Sequence, residues 1–288
     1  MSSQGISCAK LTLFLKVTKR RPDGFHELET LFLPVTSPAD QITIDFDAAP
    51  GIRVRTNCPG LPENLENIAG RAALAYAEAA GIAPAFDIFI DKQIPVAAGM
   101  GGGSANAGTV LRLCDAHFGA VPSGELAQLA LTLGADVPFF LAPRLAAATG
   151  VGEIFDYPQG DFTPPPLLIV NPNFPVSAKW AYRHLAKEHI GEDPRKRLSH
   201  IVEALRCGDA EMMADNLHND LAFALYEKFP FLRLLKKFMC KHGALNAEIT
   251  GSGSTLFAVC RNTEKQRELK TALTEYFSAD ALRIWECR

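Results

Sequence analysis

The segment PVAAGMGGGSANAG, residues 95–108, has five glycines among fourteen residues and no charged side chain. The FDIFID stretch before it, residues 86–91, alternates apolar with other side chains, which is typical of a strand. The residues after it, 105–118, carry apolar side chains along one side of a predicted helix. The sequence therefore predicts a glycine loop between a strand and a helix that begins at Ala105.

This arrangement favours phosphate binding. Glycines before a helix allow a ligand to approach the backbone, and successive N–H groups at the positive end of the helix dipole bind phosphate without a lysine. Ser104 adds a hydroxyl for a phosphate oxygen or a magnesium ion. A P-loop is excluded because the chain has no Gly-Lys pair. A dinucleotide fingerprint, in which Ser104 would replace the third glycine, and a mobile surface loop are weaker alternatives.

The composition excludes several other classes of protein. The 288 residues carry a net charge of −3, which gives no electrostatic case for binding nucleic acid or an anionic membrane. Seven cysteines without a C-x-x-C pair argue against a zinc site and a disulfide framework, and the N-terminal residues lack the basic region of a signal peptide. The basic cluster KVTKRRPDG, residues 16–24, is interpreted as a solvated turn. We expect a cytoplasmic protein; the sequence leaves its oligomeric state open.

The rest of the chain predicts a mixture of strands and helices. In residues 9–17, AKLTLFLKV, the leucines alternate as in a half-buried strand, and helices are predicted over residues 65–81, from an N-cap at Ser123, and over residues 177–188. Three prolines after Gly160 mark the predicted boundary between two domains, 1–160 and 161–288. The strand, turn, strand, helix, strand order that closes the chain predicts an α+β fold.

Four segments together resemble the GHMP kinase family. The glycine loop is similar to that family's P-x-x-x-G-L-G-G-G-S-S-x-A-A motif. Residues 9–32, AKLTLFLKVTKRRPDGFHELETLF, resemble the N-terminal motif of the members that act on a diphosphocytidyl alcohol. Residues 131–141, LTLGADVPFFL, and 249–259, ITGSGSTLFAV, resemble two later motifs in the same order. The resemblance implies an α+β two-domain fold with the active site in the cleft between domains.

The resemblance also implies a reaction. ATP, assisted by Mg²⁺, would phosphorylate the 2-hydroxyl of 4-diphosphocytidyl-2-C-methyl-D-erythritol, a step of non-mevalonate isoprenoid biosynthesis. Lys10 would orient the acceptor hydroxyl and stabilise developing negative charge, and Asp136 would be the catalytic base. Phe25 would stack on the cytosine base, His26 would hydrogen-bond to its edge, and Thr12 would face the substrate.

The implied ATP site is larger. Asn64 and Lys92 would lie at the adenosine, and Ser104 would also serve Mg²⁺. The loop residues assigned to ATP are Pro95, Val96, Ala97, Ala98, Gly99, Met100, Gly101, Gly102, Gly103, Ser104 and Ala105. The glycines of TGSGST, residues 250–255, are expected near this loop.

Four positions depart from the family pattern. Thr12 stands where asparagine is usual, Phe25 where tyrosine is usual, Ala105 in place of a serine and Gly108 in place of an alanine. These changes leave two alternatives open: a GHMP kinase acting on another small alcohol, and a nucleotide-binding regulator without catalytic activity. The presence of both Lys10 and Asp136 argues against the regulator.

Overall fold

The computed structural model describes residues 2–185 and 195–287. The strands in these ranges are β1 (Ser2–Arg20), β2 (His26–Asp45), β3 (Gly51–Thr56), β4 (Ala85–Asp91), β5 (Ala146–Thr149), β6 (Ile154–Asp156), β7 (Leu167–Asn171), β8 (His218–Asn219), β9 (Ala244–Ile249), β10 (Leu256–Cys260) and β11 (Arg283–Cys287). The α-helices are α1 (Ile68–Ala80), α2 (Gly102–Phe118), α3 (Ser123–Leu133), α4 (Ala178–Arg183), α5 (Arg195–Cys207), α6 (Ala210–Asn216), α7 (Ala222–Lys228), α8 (Pro230–Lys241) and α9 (Thr263–Tyr276), and two 3₁₀ helices cover Asn64–Glu66 and Pro138–Leu141. The α+β class is confirmed. Within these ranges, no helix combines the length and the apolar character that crossing a membrane requires.

The chain forms two compact units, neither of which is one continuous stretch. The first unit consists of residues 1–9, 38–96 and 101–144, and the second of residues 10–37, 97–100 and 145–288. Both units are discontinuous because the chain passes from one to the other within β1, within β2, on each side of residues 97–100 and after residue 144. The predicted division at Gly160 into 1–160 and 161–288, and the predicted cleft, stay predictions.

The first unit packs three helices on a small sheet. Strand β3 pairs in parallel with β4, and β4 pairs antiparallel with the C-terminal part of β2. The alternation predicted for β4 is confirmed, because Phe86, Ile88 and Ile90 are buried and pack with α1, α2 and α3 in one apolar core. Asn67 caps the start of α1, and Gly81 ends it in the left-handed conformation.

The second unit contains an antiparallel sheet in the order β11–β7–β10–β9. The strands β7 and β10 are buried along their whole length, and their apolar side chains form a core with α8 and α9. Within this unit β1 also pairs with β8, and β2 pairs with β5. The predicted closing order of strand, turn, strand, helix and strand is confirmed by β9, β10, α9 and β11.

Strand β1 differs from its prediction. It was expected to be half-buried, but every residue from Ser7 to Val17 is buried. The polar side chains between its leucines have partners inside the protein, so they do not require solvent. Lys16 is one of them: it is 2% exposed, and its Nζ lies 3.6 Å from Oδ1 of Asp220. The solvated turn predicted for residues 16–24 is therefore wrong for residues 16–20, which belong to β1, whereas Arg21–Gly24 do form a turn.

Several predicted helix ends also change. Helix α1 begins at Ile68 and not at residue 65, because Asn67 is its N-cap. Helix α2 begins at Gly102, three residues before Ala105, so two glycines lie in its first turn. Ser123 is the first residue of α3 and Pro122 is its N-cap, so the predicted serine cap is wrong. Helix α4 ends at Arg183, and residues 186–188 of the predicted helix lie outside the described residues.

Candidate active site

The glycine loop joins β4 to α2, as the sequence predicted. Its backbone is left-handed at Ala97, Gly99 and Gly101, with φ angles of 50°, 78° and 71°. Gly101 is the N-cap of α2, and none of the described side chains caps the helix there. The first N–H groups of a helix have no carbonyl partner within it, so those that follow Gly101 can bind an anion.

Close packing holds this loop at two of its glycines. A Cβ on Gly99 would lie 2.0 Å from the carbonyl oxygen of Thr250, so only glycine fits there. A Cβ on Gly102 would lie 2.9 Å from Cγ2 of Ile94 and 3.0 Å from Nζ of Lys92. These contacts argue against the alternative of a mobile surface loop.

Lys10 lies beside the loop within the second unit. Its backbone N–H donates to the carbonyl oxygen of Met100 over 3.0 Å. The side chain is 6% exposed, Nζ donates to Oγ1 of Thr12 over 2.8 Å, and Nζ lies 4.3 Å from the centre of the Phe32 ring. A buried ammonium is costly unless polar or aromatic groups surround it, and this lysine has both. The structure therefore holds a cation next to the glycine loop.

Thr12 links Lys10 to the C-terminal glycine motif. The two side chains share a face of β1, as the strand period predicts, and the Thr12 N–H donates to Oγ1 of Thr250 over 2.9 Å. The Thr250 hydroxyl in turn donates to the carbonyl oxygen of Gly99 over 3.2 Å. A Cβ on Gly251 would lie 3.0 Å from that same oxygen, so the TGSGST segment lies near the loop as expected. The sequence did not indicate the role of Thr250, because its partner Thr12 is 238 positions away.

Asp136 belongs to the first unit and lies in the turn between α3 and the 3₁₀ helix Pro138–Leu141. It is half-buried, and the aromatic side chains of Phe139 and Phe140 that follow it are 1% exposed. A Cβ on Gly108 of α2 would lie 2.7 Å from Cβ of Phe140. The departure from alanine at Gly108 thus has a physical reason, since it lets this segment pack directly on α2.

Phe25 is presented to solvent by an ordered turn. Its side chain is 63% exposed, so it is not a core aromatic residue. Oδ1 of Asp23 accepts a hydrogen bond from the Phe25 N–H over 3.0 Å, and Oδ2 accepts one from Nε of Arg21 over 3.0 Å. The Arg21 N–H donates to the Phe25 carbonyl oxygen over 2.8 Å, which closes the turn. An exposed aromatic ring on a closed turn can serve as a stacking platform.

His26 stacks on a second aromatic residue that sequence reasoning missed. The His26 and Tyr182 rings lie 5.6 Å apart at an angle of 22°. Burial lowers the pKa of His26, and the nearby charge of Arg20 lowers it further, so the imidazole is neutral at pH 7. A neutral imidazole has one donor and one acceptor nitrogen, which suits the edge of a base. Tyr182 lies in α4, and no motif in the sequence marks it.

The two residues expected at the adenosine have different surroundings. Asn64 is exposed, has a φ of 49° and accepts a hydrogen bond at Oδ1 from the Val54 N–H over 3.3 Å. The Lys92 side chain is only 5% exposed, and its Nζ donates to Oδ2 of Asp40 over 2.6 Å. Lys92 therefore forms a buried ion pair directly behind the first turn of α2. Asp40 was missed, because 52 residues separate the partners.

The residues near the loop fit a magnesium ion that arrives with a nucleotide. Ser104 is partly exposed in the first turn of α2, and no described residue hydrogen-bonds to its hydroxyl. The described residues contain no cluster of three or more His, Cys, Asp or Glu side chains that could hold a metal by itself. Mg²⁺ in kinases is bound by substrate phosphates and water with one or two protein oxygens, so a single hydroxyl is compatible with it.

Comparison with known proteins agrees with this geometry. Residues 67–143 match the model of the GHMP kinase N-terminal domain, and residues 201–279 match that of the GHMP kinase C-terminal domain. A 4-diphosphocytidyl-2-C-methyl-D-erythritol kinase of Geobacter metallireducens is 37% identical over 270 residues, covering 92% of both chains. The chain belongs to the GHMP kinase family. It is therefore a small-molecule kinase, and the family resemblance of its four motifs is confirmed.

Further relatives agree. A 4-diphosphocytidyl-2-C-methyl-D-erythritol kinase of Nitratidesulfovibrio vulgaris is 35% identical and covers 97% of this GHMP kinase and 96% of its own chain. A crystal structure of 4-(cytidine 5'-diphospho)-2C-methyl-D-erythritol kinase superposes with a TM-score of 0.83 at 34% identity, covering 99% of this chain and 98% of the other. A homoserine kinase from Cytophaga hutchinsonii, with a TM-score of 0.77 and 20% identity over 100% of this chain and 94% of its own, shows the shared fold.

Proposed function

We propose that this GHMP kinase transfers the γ-phosphate of ATP to the 2-hydroxyl of 4-diphosphocytidyl-2-C-methyl-D-erythritol, in the cytoplasm and as a step of isoprenoid precursor synthesis. The names of the relatives supply the substrate. The observation that carries the proposal is the buried Lys10 ammonium, which Thr12 and Met100 hold beside the glycine loop. A loop that only bound nucleotide for regulation would not need a desolvated cation there.

The glycine loop binds the phosphates of ATP in this proposal. The amides that follow Gly101 point toward the anion, and the α2 dipole favours negative charge at that end. Ser104 supplies one oxygen to the magnesium ion, which neutralises charge on the phosphates when it is bound. Asn64 is exposed at the start of the 3₁₀ helix Asn64–Glu66 and remains assigned to the adenosine. Lys92 supports the loop from behind through its ion pair with Asp40.

The transfer itself needs a base and a stabilised charge. The oxygen of the acceptor hydroxyl attacks the γ-phosphorus, the bond from that phosphorus to the bridging oxygen of ADP breaks, and ADP leaves. Asp136 accepts the proton of the hydroxyl, which makes the attacking oxygen more nucleophilic. Lys10 stabilises the negative charge that develops on the transferring group. Its hydrogen bond to Thr12 and its position over Phe32 fix the direction of the ammonium.

The aromatic residues of the second unit recognise the diphosphocytidyl group in this proposal. Phe25 offers an exposed face for the cytosine ring, and Asp23 keeps the turn closed. His26, neutral and stacked on Tyr182, offers a donor and an acceptor to the base edge. Stacking combined with edge hydrogen bonds is the usual way to recognise a single unpaired base.

A coupled assay of ADP release tests this function. The enzyme is incubated with ATP, Mg²⁺ and one alcohol at a time: the diphosphocytidyl substrate, mevalonate, homoserine or galactose. We expect turnover with the diphosphocytidyl substrate alone. Turnover with another alcohol would identify a GHMP kinase that acts on a different small alcohol. Nucleotide binding without any turnover would identify a nucleotide-binding regulator without catalytic activity.

The Phe25→Ala substitution is expected to raise KM for the diphosphocytidyl substrate by about fivefold or more, since a base–aromatic stack contributes roughly 1–3 kcal/mol. KM for ATP and the melting temperature should not change, because the ring is exposed. Steady-state kinetics measure both constants. Phe223→Ala is the matched control, since that phenylalanine is 52% exposed on α7. Equal KM values for Phe25→Ala and wild type would remove Phe25 from the substrate site.

The Thr12→Val substitution is expected to lower kcat about tenfold, because it removes a hydrogen bond to a charged group. Valine keeps the shape of threonine but gives the Lys10 ammonium no acceptor. Thr12→Ser is the control, because it restores the hydroxyl and should restore kcat. The dissociation constant for ATP should change in neither variant. A Thr12→Val enzyme with wild-type kcat would show that Lys10 does not depend on Thr12.

A further inference from the structure

A fully buried carboxylate lies behind the glycine loop. Asp40, on β2, has 0% exposure. Its Oδ1 accepts hydrogen bonds from the backbone N–H groups of Gln93, over 2.7 Å, and Ile94, over 2.8 Å. Its Oδ2 accepts from Nζ of Lys92, over 2.6 Å, and Nδ2 of Asn106, over 2.7 Å. These donors fill the acceptor positions that the two oxygens of a carboxylate offer.

The donors come from both ends of the loop. Gln93 and Ile94 are the last residues before Pro95, where the loop begins, and Asn106 lies in the second turn of α2, where the loop has ended. The Asp40 side chain therefore connects the segment before the loop to helix α2, which follows the loop. Lys92 strengthens the same connection, because its Nζ also donates to the Ile94 carbonyl oxygen over 2.8 Å.

We propose that Asp40 is a positioning residue for ATP, which fixes the two ends of the phosphate-binding loop so that its amides are oriented before the nucleotide binds. The proposal rests on the proposed function, because it takes ATP as the ligand. A loop that is already ordered loses less conformational entropy on binding, so its affinity is higher. Asp40 touches neither phosphate nor acceptor; it acts through Ile94 and Asn106.

An asparagine at position 40 would keep the size of the side chain but not its hydrogen bonds. All four neighbouring groups are donors, so the amide NH₂ would face two of them, and the negative charge that pairs with the Lys92 ammonium would be lost. We therefore expect the ends of the loop to separate in Asp40→Asn.

Titration calorimetry with Mg²⁺–ATP and no acceptor tests the proposal on the full chain. Asp40→Asn is expected to raise the dissociation constant of ATP about tenfold or more, whereas that of cytidine 5'-diphosphate should stay within about twofold of wild type. Asp45→Asn, an exposed carboxylate on the same strand, is the control and should change neither constant. A lower melting temperature with unchanged ATP affinity would overturn the proposal and leave Asp40 a purely stabilising residue. A wild-type chain that bound no ATP would instead contradict the proposed function.

If Asp40→Asn does not fold, a milder variant tests the same proposal. Asn106→Ala removes one donor from Asp40 and leaves the ion pair with Lys92 intact. We expect it to raise the dissociation constant of ATP several-fold, which is a loss on the order of 1 kcal/mol. Ser7→Ala removes the other hydrogen bond of the Asn106 amide, which is 3.0 Å long, and is the control that should leave ATP affinity unchanged. Wild-type affinity in Asn106→Ala would overturn the proposal.

Discussion

The Asp136→Asn enzyme is expected to turn over roughly 100- to 10,000-fold more slowly than wild type, the range that a general base contributes. The amide has nearly the shape of the carboxylate but cannot accept the proton of the acceptor hydroxyl. Affinity for ATP and the melting temperature should be preserved, because Phe139 and Phe140 keep the segment packed on α2. Such a variant loses kcat and kcat/KM together, as expected for an interaction made only in the transition state.

Steady-state kinetics and calorimetry on the same preparation measure these quantities. Asp161→Asn is the control, since Asp161 is exposed in a loop of the second unit and has no part in the mechanism. A turnover of Asp136→Asn within a few-fold of wild type would exclude Asp136 as the base. A large loss of ATP affinity would instead indicate a role in nucleotide binding.

The Gly103→Val substitution is expected to raise the dissociation constant of ATP by at least about tenfold, which corresponds to about 1.4 kcal/mol. Gly103 is exposed in the first turn of α2, where the proposed function brings a phosphate close to the backbone N–H groups. Within the protein a Cβ there has room, because its nearest neighbour would be Cγ2 of Ile68 at 3.7 Å. Valine is also a better helix residue than glycine, so stability should not fall.

Helix α3 provides a matched control. Gly124 is the second residue of α3 as Gly103 is the second of α2, and a Cβ on it would meet nothing within 4 Å. Gly124→Val should therefore have wild-type affinity for ATP and a similar melting temperature. Equal ATP affinity in the two valine variants would show that phosphate does not approach Gly103. Gly102 is less suitable for this test, because a side chain there would collide with Ile94 and lower stability as well.

Local features of the site could be predicted from the sequence. The loop and its flanking strand and helix depend on neighbours in the chain, and the structure confirms all three. The common face of Lys10 and Thr12 follows from the period of a strand. The start of α2 was misplaced because glycine disfavours a helix; close contacts of Gly102 with Ile94 and Lys92 hold that turn instead.

Long-range partners could not be predicted. The polar residues between the leucines of β1 suggested one solvated face, but Thr12 pairs with Thr250, and Lys16 lies beside Asp220. Each partner lies more than two hundred positions away, so no local pattern identifies it. Asp40 was overlooked for the same reason, since its donors lie in two later segments. The division of β1 and of β2 between the two units likewise depends on contacts that a single sequence does not show.

The central claim concerns the hydroxyl that receives the phosphate, and proton-coupled phosphorus NMR of the product tests it most directly. In 4-diphosphocytidyl-2-C-methyl-D-erythritol the carbon that carries the 2-hydroxyl also carries a methyl group and has no hydrogen. Our account predicts that ATP and this substrate give ADP and a new phosphomonoester signal without splitting, while the diphosphate signals of the cytidine group remain. A new ester signal split by protons on its own carbon would place the phosphate on a different hydroxyl and contradict the account. Hydrolysis of ATP to ADP and inorganic phosphate, without a new ester signal, would also contradict it.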